Sequence, residues 1–350
     1  MPLRTAGACR ETGYDGGGGR KPAARTVGVV VTLLVAFHAL LSSCSLLEPQ
    51  APVAKPRFVF SAYKDLALGL NALDLMELTA DSGHPALTLA FAVGECGQET
   101  IHGEPGRDWA RENLGVLEKA GVDFIVSTGG EGGAFTCATD EGMQEFLAHF
   151  DSPRLIGFDF DIEAHQSPQQ IDSLTQRIAH AQLRHPFLRW SFTLGTFAAG
   201  DGSRANLNPL GARVLDSANS HGVRSFLVNL MAMDYGKPEP ASCMVRNGIC
   251  DMGQSALQAA RNLHEARGIA FDHMELTAML GANDSPGNVF TREDAVRVAR
   301  FVHEQGLAGL HYWSLDRDAP CESGKVAENC SGLPDLPVGT FGRTFATNLH

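Results

Sequence analysis

The richest chemistry in this chain lies in Leu155-Ile156-Gly157-Phe158-Asp159-Phe160-Asp161-Ile162-Glu163. Acidic and apolar residues alternate through its second half. On an extended strand, successive side chains point to opposite faces. Asp159, Asp161 and Glu163 therefore share one face, and Phe158, Phe160 and Ile162 share the other. Three carboxyls in one row repel one another, and burial further disfavours their ionisation. Protonating at least one of them relieves both costs. A carboxyl that keeps its proton near neutral pH is what a general acid requires. The row could instead gather a hard cation, which also seeks clustered oxygens. A structural ion network fits less well, because no Arg or Lys lies within the segment.

Such a row needs a frame that turns its acidic face inward. Eight short apolar or alternating runs read as strands: Phe58–Tyr63, Leu87–Val93, Asp123–Ser127, Leu155–Glu163, Arg189–Leu194, Ser225–Met233, Met274–Leu280 and Gly309–Ser314. Helical spacing recurs between them at Asp108–Ala120, Asp140–Phe150, Pro168–Arg184, Pro209–His221, Ser255–Arg267 and Arg292–Gln305. Ser167, Asn208 and Thr291 stand where helix N-caps belong, and Gly121, Gly222, Gly268 and Gly306 follow helix ends. Asn71–Ala80 is the only helix candidate after the first strand, and the tail from Pro334 to His350 supplies a last helix. Alternating strands and helices make parallel βαβ units. Eight of them predict an α/β fold, a single-domain (β/α)8 TIM barrel over residues 57–350, with its site at the carboxyl ends of the strands.

The 350 residues carry 44% hydrophobic and 19% charged side chains, enough apolar mass for one large core, and a formal net charge of −12. That surface repels nucleic acid and anionic lipid, so neither is expected as a partner, whereas a neutral polymer is unaffected. Arg20, Lys21 and Arg25 precede an apolar stretch from Val27 to Leu41, the pattern of an export signal. Six cysteines remain beyond residue 44: Cys96, Cys137, Cys243, Cys250, Cys321 and Cys330. An even set in an exported chain suggests three disulfides. Short spacing favours Cys243–Cys250 and Cys321–Cys330, which leaves Cys96–Cys137. All six fall after strand ends, on the face where the site is expected. None shows a C-x-x-C spacing, and no metal or other cofactor is expected.

The acidic strand resembles the D-x-x-D-x-D-x-E signature of glycoside hydrolase family 18, with Ile156 standing where the family has its first aspartate. Three further segments agree in order. Ser127-Thr128-Gly129-Gly130 resembles the family's S-x-G-G after strand three. Met231-Ala232-Met233-Asp234-Tyr235 resembles its M-x-Y-D after strand six, with Met233 in place of the tyrosine. Trp313 ends strand eight, where the family has a tryptophan under the reacting sugar. The resemblance runs from Phe58 to Asp318 and is strongest to a bacterial and archaeal chitinase-like branch.

The resemblance implies Glu163 as catalytic acid, Asp161 as the residue that orients the substrate acetamido group, and Asp159 as its proton-sharing partner. It implies sugar contacts at Asp234, Trp313 and Met233, with Tyr235 a further candidate although adjacent residues face opposite ways, and Tyr63 either a sugar contact or a packing residue; Asn283 and Asp284 stand at the cleft or cap its loop. The expected activity is retaining hydrolysis of a β-1,4-linked N-acetylglucosamine polymer, using the substrate's own acetamido group as nucleophile. The expected partner is therefore a chitin-like polysaccharide or oligosaccharide, met by a monomer with a shallow, open groove. Alternatives are a non-catalytic lectin, against which the presence of Glu163 argues, and an endo-β-N-acetylglucosaminidase acting on peptidoglycan or N-glycans. Leu41-Ser42-Ser43-Cys44 resembles a lipobox. That implies residues 1–43 as a lipoprotein signal segment, a lipid on Cys44, residues 44–56 as a tether, and membrane contact only through this anchor.

Overall fold

A computed structural model of the protein describes residues 56–70, 86–321 and 326–350. The signal segment, Cys44, nearly all of the tether and the Asn71–Ala80 helix candidate lie outside the described residues.

Eight strands form the frame: β1 (Val59–Asp65), β2 (Ala86–Glu95), β3 (Phe124–Gly129), β4 (Leu155–Asp161), β5 (Arg189–Gly195), β6 (Leu227–Ala232), β7 (Met274–Met279) and β8 (Gly309–Trp313). Each pairs in parallel with its sequence neighbours, and β8 returns to β1 through Val59 opposite Gly309. The sheet is therefore a closed barrel. Around it pack α1 (Gly106–Ala120), α2 (Asp140–His149), α3 (Pro168–Arg184), α4 (Pro209–Ser220), α5 (Met252–Arg267), α6 (Arg292–Gln305) and α7 (Thr340–Asn348). This is the (β/α)8 TIM barrel expected from the strand and helix spacing.

The alternation that marked the strands sorts side chains between two environments. Phe158, Phe160, Trp190, Phe192, Val228, Leu230, Leu276 and Leu310 belong to the apolar core. Phe146 of α2 lies 5.1 Å from Phe158 between ring centroids, and Phe160 stacks on Trp190 at 6.3 Å. Residues of opposite parity, namely Ser61, Ser127, Asp159, Ser191, Thr193, Asn229, Glu275, Thr277 and His311, are also buried, but they hydrogen-bond to one another inside the barrel.

The helices start where their caps dictate. Asn208 Oδ1 accepts from Gly211 N at 2.7 Å, and capping boxes close at Ser167 with Gln170 and at Thr291 with Asp294. Most boundaries shift by one to three residues from the spacing-based reading, and two of the shifts have a clear local cause. Asp251 caps α5 by accepting from Gln254 N at 3.0 Å, so that helix begins at Met252 rather than Ser255, through a turn whose Gly253 hides it in the apolar pattern. In β6, Ser225 has φ +50° and stays outside the strand, which starts at Leu227. The tail helix is anchored by Asp318, which accepts from Phe341 N at 2.9 Å and Gly342 N at 2.7 Å.

Three disulfides, Cys96–Cys137, Cys243–Cys250 and Cys321–Cys330, close with Cα separations of 5.0, 5.7 and 5.6 Å. The first ties the loop after β2 to the loop after β3, and the others brace the loops after β6 and β8. All stiffen the carboxyl-end rim.

The opposite end of the barrel holds a buried ion cluster. Glu275 accepts from Arg189 Nε at 3.1 Å and pairs with His311 Nε2 at 2.9 Å, while His311 Nδ1 meets Ser61 Oγ at 2.6 Å. Burial alone would raise the Glu275 carboxyl, but Arg189 and His311 override it and hold it down to about 2 from an ordinary 4.5. Its ionisation therefore stabilises the fold above the unfolded-state value, and that contribution fades as pH falls through about 2. Glu275→Gln leaves Arg189 buried without its carboxylate and is expected to destabilise by about 3–5 kcal/mol at neutral pH. Urea unfolding measures the loss, and the gap between wild type and variant should narrow steadily as pH drops below 4.5.

Candidate active site

Strand β4 delivers the acidic row, and its neighbours arrive with hydroxyls in register. Asp159 lies opposite Ser127 of β3 and Ser191 of β5, and Asp161 lies opposite Thr193. The two Asp159 oxygens accept from Ser127 Oγ at 2.7 Å, Ser191 Oγ at 2.7 Å, Thr193 Oγ1 at 2.8 Å and Tyr63 OH at 3.0 Å. Those donors are themselves oriented. Thr277 Oγ1 donates to Asn229 Oδ1 at 2.8 Å, and Asn229 Nδ2 donates to Thr193 Oγ1 at 2.8 Å and Tyr63 OH at 3.1 Å. Every proton in this chain of bonds points toward Asp159. Ile156, at the place of the missing aspartate, falls in a β-bulge between Leu155 and Gly157, and the hydroxyls supply the network without it.

Burial nevertheless leaves the Asp159 carboxyl above its ordinary value, because the hydroxyls offset desolvation only in part and Glu275 adds repulsion. Asp161 is pushed well up by burial, then by the charges of Glu163 and Asp159. It is 6% exposed, and its Oδ1 has no hydrogen-bond partner among the described residues. Glu163 lies two residues past the end of β4. The ladder continues to it because Ile162 N donates to Thr193 O at 3.1 Å, so the alternation outlasts the strand itself. Half-buried, Glu163 is pushed up to about 7 by desolvation, then by Glu131 and Asp234. A carboxyl in that range holds its proton for part of the time at neutral pH and can still release it.

An aromatic wall faces the row. Trp313 stacks on Phe91 with centroids 5.6 Å apart and planes 18° from parallel, and both rings are partly exposed. Tyr63 lies 6.1 Å from Trp313 and 6.3 Å from Phe91. Because its hydroxyl reaches Asp159, the acid row and the wall are one side chain apart. The small residues after β3 make this closeness sterically possible. At Gly129, with φ +86°, a Cβ would collide with the Asp161 carbonyl oxygen. At Gly130 a Cβ would stand 2.7 Å from the Phe91 ring, and its N donates to Asp161 O at 3.1 Å.

The residues named from the sequence do not all play the same part. Glu163, Asp161, Asp159 and Trp313 converge at the carboxyl end. Asp234 follows β6 on a left-handed turn, exposed, with its Oδ1 accepting from Ser285 N at 2.7 Å. Partial desolvation, then Asp284 and Glu131, raise its carboxyl. Met233 is half-buried beside it. Tyr63 takes the packing alternative: it is 2% exposed, with its hydroxyl committed to Asp159 and its neighbours. Tyr235 is likewise buried in the apolar core at 6% exposure, because the residue after an outward-facing Asp234 turns inward. Asn283 caps the β7 loop, donating to the carbonyls of Met279 and Gly281 at 3.1 Å, while Asp284 is exposed.

Several participants escaped the sequence reading. Ser191 and Thr193 were detectable as polar residues at alternate positions of an otherwise apolar strand. Phe91 and Glu131 gave no such signal. Among the described residues, no group of three or more His, Cys, Asp or Glu side chains is arranged to hold a metal ion.

No family model matches the chain. It is 28% identical over 303 residues to Endochitinase 11 of Metarhizium anisopliae, and 28% identical over 297 residues to a probable bifunctional chitinase/lysozyme of Escherichia coli K12. Each alignment covers 76% of this chain, but the chain spans only 54% and 32% of those relatives. Its fold matches the catalytic domain of a hyperthermophilic chitinase from Pyrococcus furiosus with a TM-score of 0.66 at 25% identity, covering 85% of this chain and 98% of that one.

The crowding around Glu163 sets a titration that carbon-detected NMR reads directly. Its side-chain carboxyl should titrate near 7. Glu131→Gln removes a negative neighbour and should move that midpoint downward, while a midpoint unchanged by the substitution would exclude Glu131 from the cause.

Proposed function

We propose that this chain, a homologue of chitinases in sequence and fold, is a glycosidase that hydrolyses β-1,4-linked N-acetylglucosamine polymers with retention of configuration. The observation that carries the reading is Glu163: a carboxyl raised to about 7, at the end of a buried acid row that Tyr63 joins, through Asp159, to a partly exposed aromatic wall. Apolar C–H faces of a pyranose pack on such a wall, which the stacked Trp313 and Phe91 supply.

Glu163 gives its proton to the glycosidic oxygen as the bond to C1 breaks. The acetamido carbonyl oxygen of the same sugar attacks C1 and closes a cyclic oxazolinium, the substrate-assisted course that dispenses with a second carboxylate nucleophile. Asp161 suits the partner role. Its unpartnered Oδ1 is an acceptor waiting for the acetamido N–H, and its ionisation balances the positive ring. The hydroxyl cluster holds Asp159 in place, so that a proton moving between the two aspartates costs little rearrangement. Water then opens the oxazolinium at C1, and Glu163, now ionised, takes the proton from that water. Asp234 stands ready on the other side of the mouth to hold the acetamido group or an adjacent hydroxyl.

The likeness to an Escherichia coli protein named as both chitinase and lysozyme favours one second reading, cleavage of peptidoglycan glycan strands. Chitotetraose hydrolysis, followed by product masses, separates the two. Wild type is expected to cleave it, and Glu163→Gln to lose at least about a hundredfold in kcat. Near-normal turnover in that variant would remove the acid from its role.

We further propose export with a lipid on Cys44. Three disulfides belong to an oxidising compartment, which supports the reading of the amino-terminal segment. Cys44→Ser should release the protein from the membrane fraction on cell fractionation.

A further inference from the structure

The mouth of the barrel is acidic beyond what proton transfer needs. Glu131 stands in the loop after β3, Asp234 after β6 and Asp284 after β7, and all three are exposed; Glu131 and Asp234 act on Glu163, and Asp284 acts on Asp234. Gly130 bonding to the Asp161 carbonyl draws the β3 end onto the β4 end and so brings the next residue, Glu131, beside Glu163. Asp234 is fixed on the β7 loop by Ser285 N, and Asp284 immediately precedes that serine.

Among the described residues, none of Glu131, Glu163, Asp234 and Asp284 forms an ion pair. Arg317, the buried cation beneath the β7 loop, feels the charges of Asp284 and Asp234. Its hydrogen bonds, however, go to backbone: the guanidinium donates to the carbonyls of Leu280, Ala282 and Ala327. A second observation inside the same mouth also asks for a donor, since Asp161 Oδ1 is buried without a partner.

Unpaired exposed carboxylates at the mouth of the barrel favour a ligand that carries positive charge and disfavour one that carries negative charge. We propose that this mouth selects partly N-deacetylated β-1,4-glucosamine chains, whose protonated 2-amino groups pair with Glu131 and Asp284, over fully acetylated chains and over carboxylate-bearing muramyl glycans. This rests on the reading of the site as a β-1,4-N-acetylglucosamine hydrolase. The reacting sugar keeps its acetamido group, which supplies the nucleophile, and the ammonium groups belong to its neighbours along the chain.

The test compares kcat/KM on fully acetylated chitotetraose, on a partly deacetylated tetramer that retains acetyl groups, and on a muramyl-containing glycan, at mildly acidic pH. Wild type should favour the partly deacetylated tetramer. The preference should collapse as salt rises from about 0.01 M to about 1 M, which shortens the screening length from about 30 Å to about 3 Å. In Glu131→Gln/Asp284→Asn the ratio of deacetylated to acetylated rates should fall about three- to tenfold, the size expected for two exposed charge pairs. A ratio unchanged in the double variant, or unchanged by salt, overturns the proposal while leaving the hydrolase reading intact. Faster cleavage of the muramyl glycan than of chitotetraose also overturns it. A wild type inert toward both tetramers overturns the hydrolase reading itself, and the proposal with it.

Discussion

A row of carboxyls inside a closed barrel is a standing electrostatic cost, and the way Asp159 is hydrogen-bonded decides whether the barrel can carry it. Four hydroxyls, from β1, β3 and β5, donate to its two oxygens. Each donor sits on a strand whose register is set by the barrel, so the cluster forms only when the sheet is closed. Removing the aspartate would orphan those hydroxyls, and removing the hydroxyls would orphan the aspartate. The apolar exterior, with Phe158, Phe160 and Trp190 packed under the helices, holds the strands in the register that makes the network possible.

The two ends of the barrel treat the same functional group in opposite ways. At the amino end, Arg189 and His311 hold Glu275 ionised despite its burial. At the carboxyl end, Asp161 and Glu163 have acids for neighbours, and their carboxyls rise. Burial pushes the carboxyls up at both ends; the cationic partners of Glu275 reverse that push, whereas acidic neighbours add to it at Asp161 and Glu163. The amino end thereby favours charged carboxyls and the carboxyl end protonated ones. The disulfides follow the same division, bracing the loops at the carboxyl end.

Around the mouth, strand ends and loops place different side chains. Strand ends place Asp161 and Trp313, and rigid ladders fix them. Loop residues place Glu131, Asp234 and Asp284, and turn chemistry fixes them: the left-handed Asp234 with its bond to Ser285, and the Asn283 cap that secures the β7 loop. The link from β7 to α6 is a short hairpin, Gly281–Ala282 with Val289–Phe290, and Asp284 lies between its two strands.

Local patterning was enough to reveal the barrel, the inward acid row, the helix caps and the cysteine pairs, because each rests on a period or spacing that the chain carries in itself. The period of two in Phe158 to Glu163 dictates which residues share a face, whatever lies across from them. Closure of the sheet decided the rest. Tyr63 became a support for Asp159, and Tyr235 a core residue, because side-chain roles depend on what other strands bring opposite. Ser191 and Thr193 became donors only once β5 lay in register with β4. Glu131 entered the site only when Gly130 met the Asp161 carbonyl, and Phe91 only when it met Trp313. Those contacts join residues far apart in the chain, and no local period encodes a distance across a barrel.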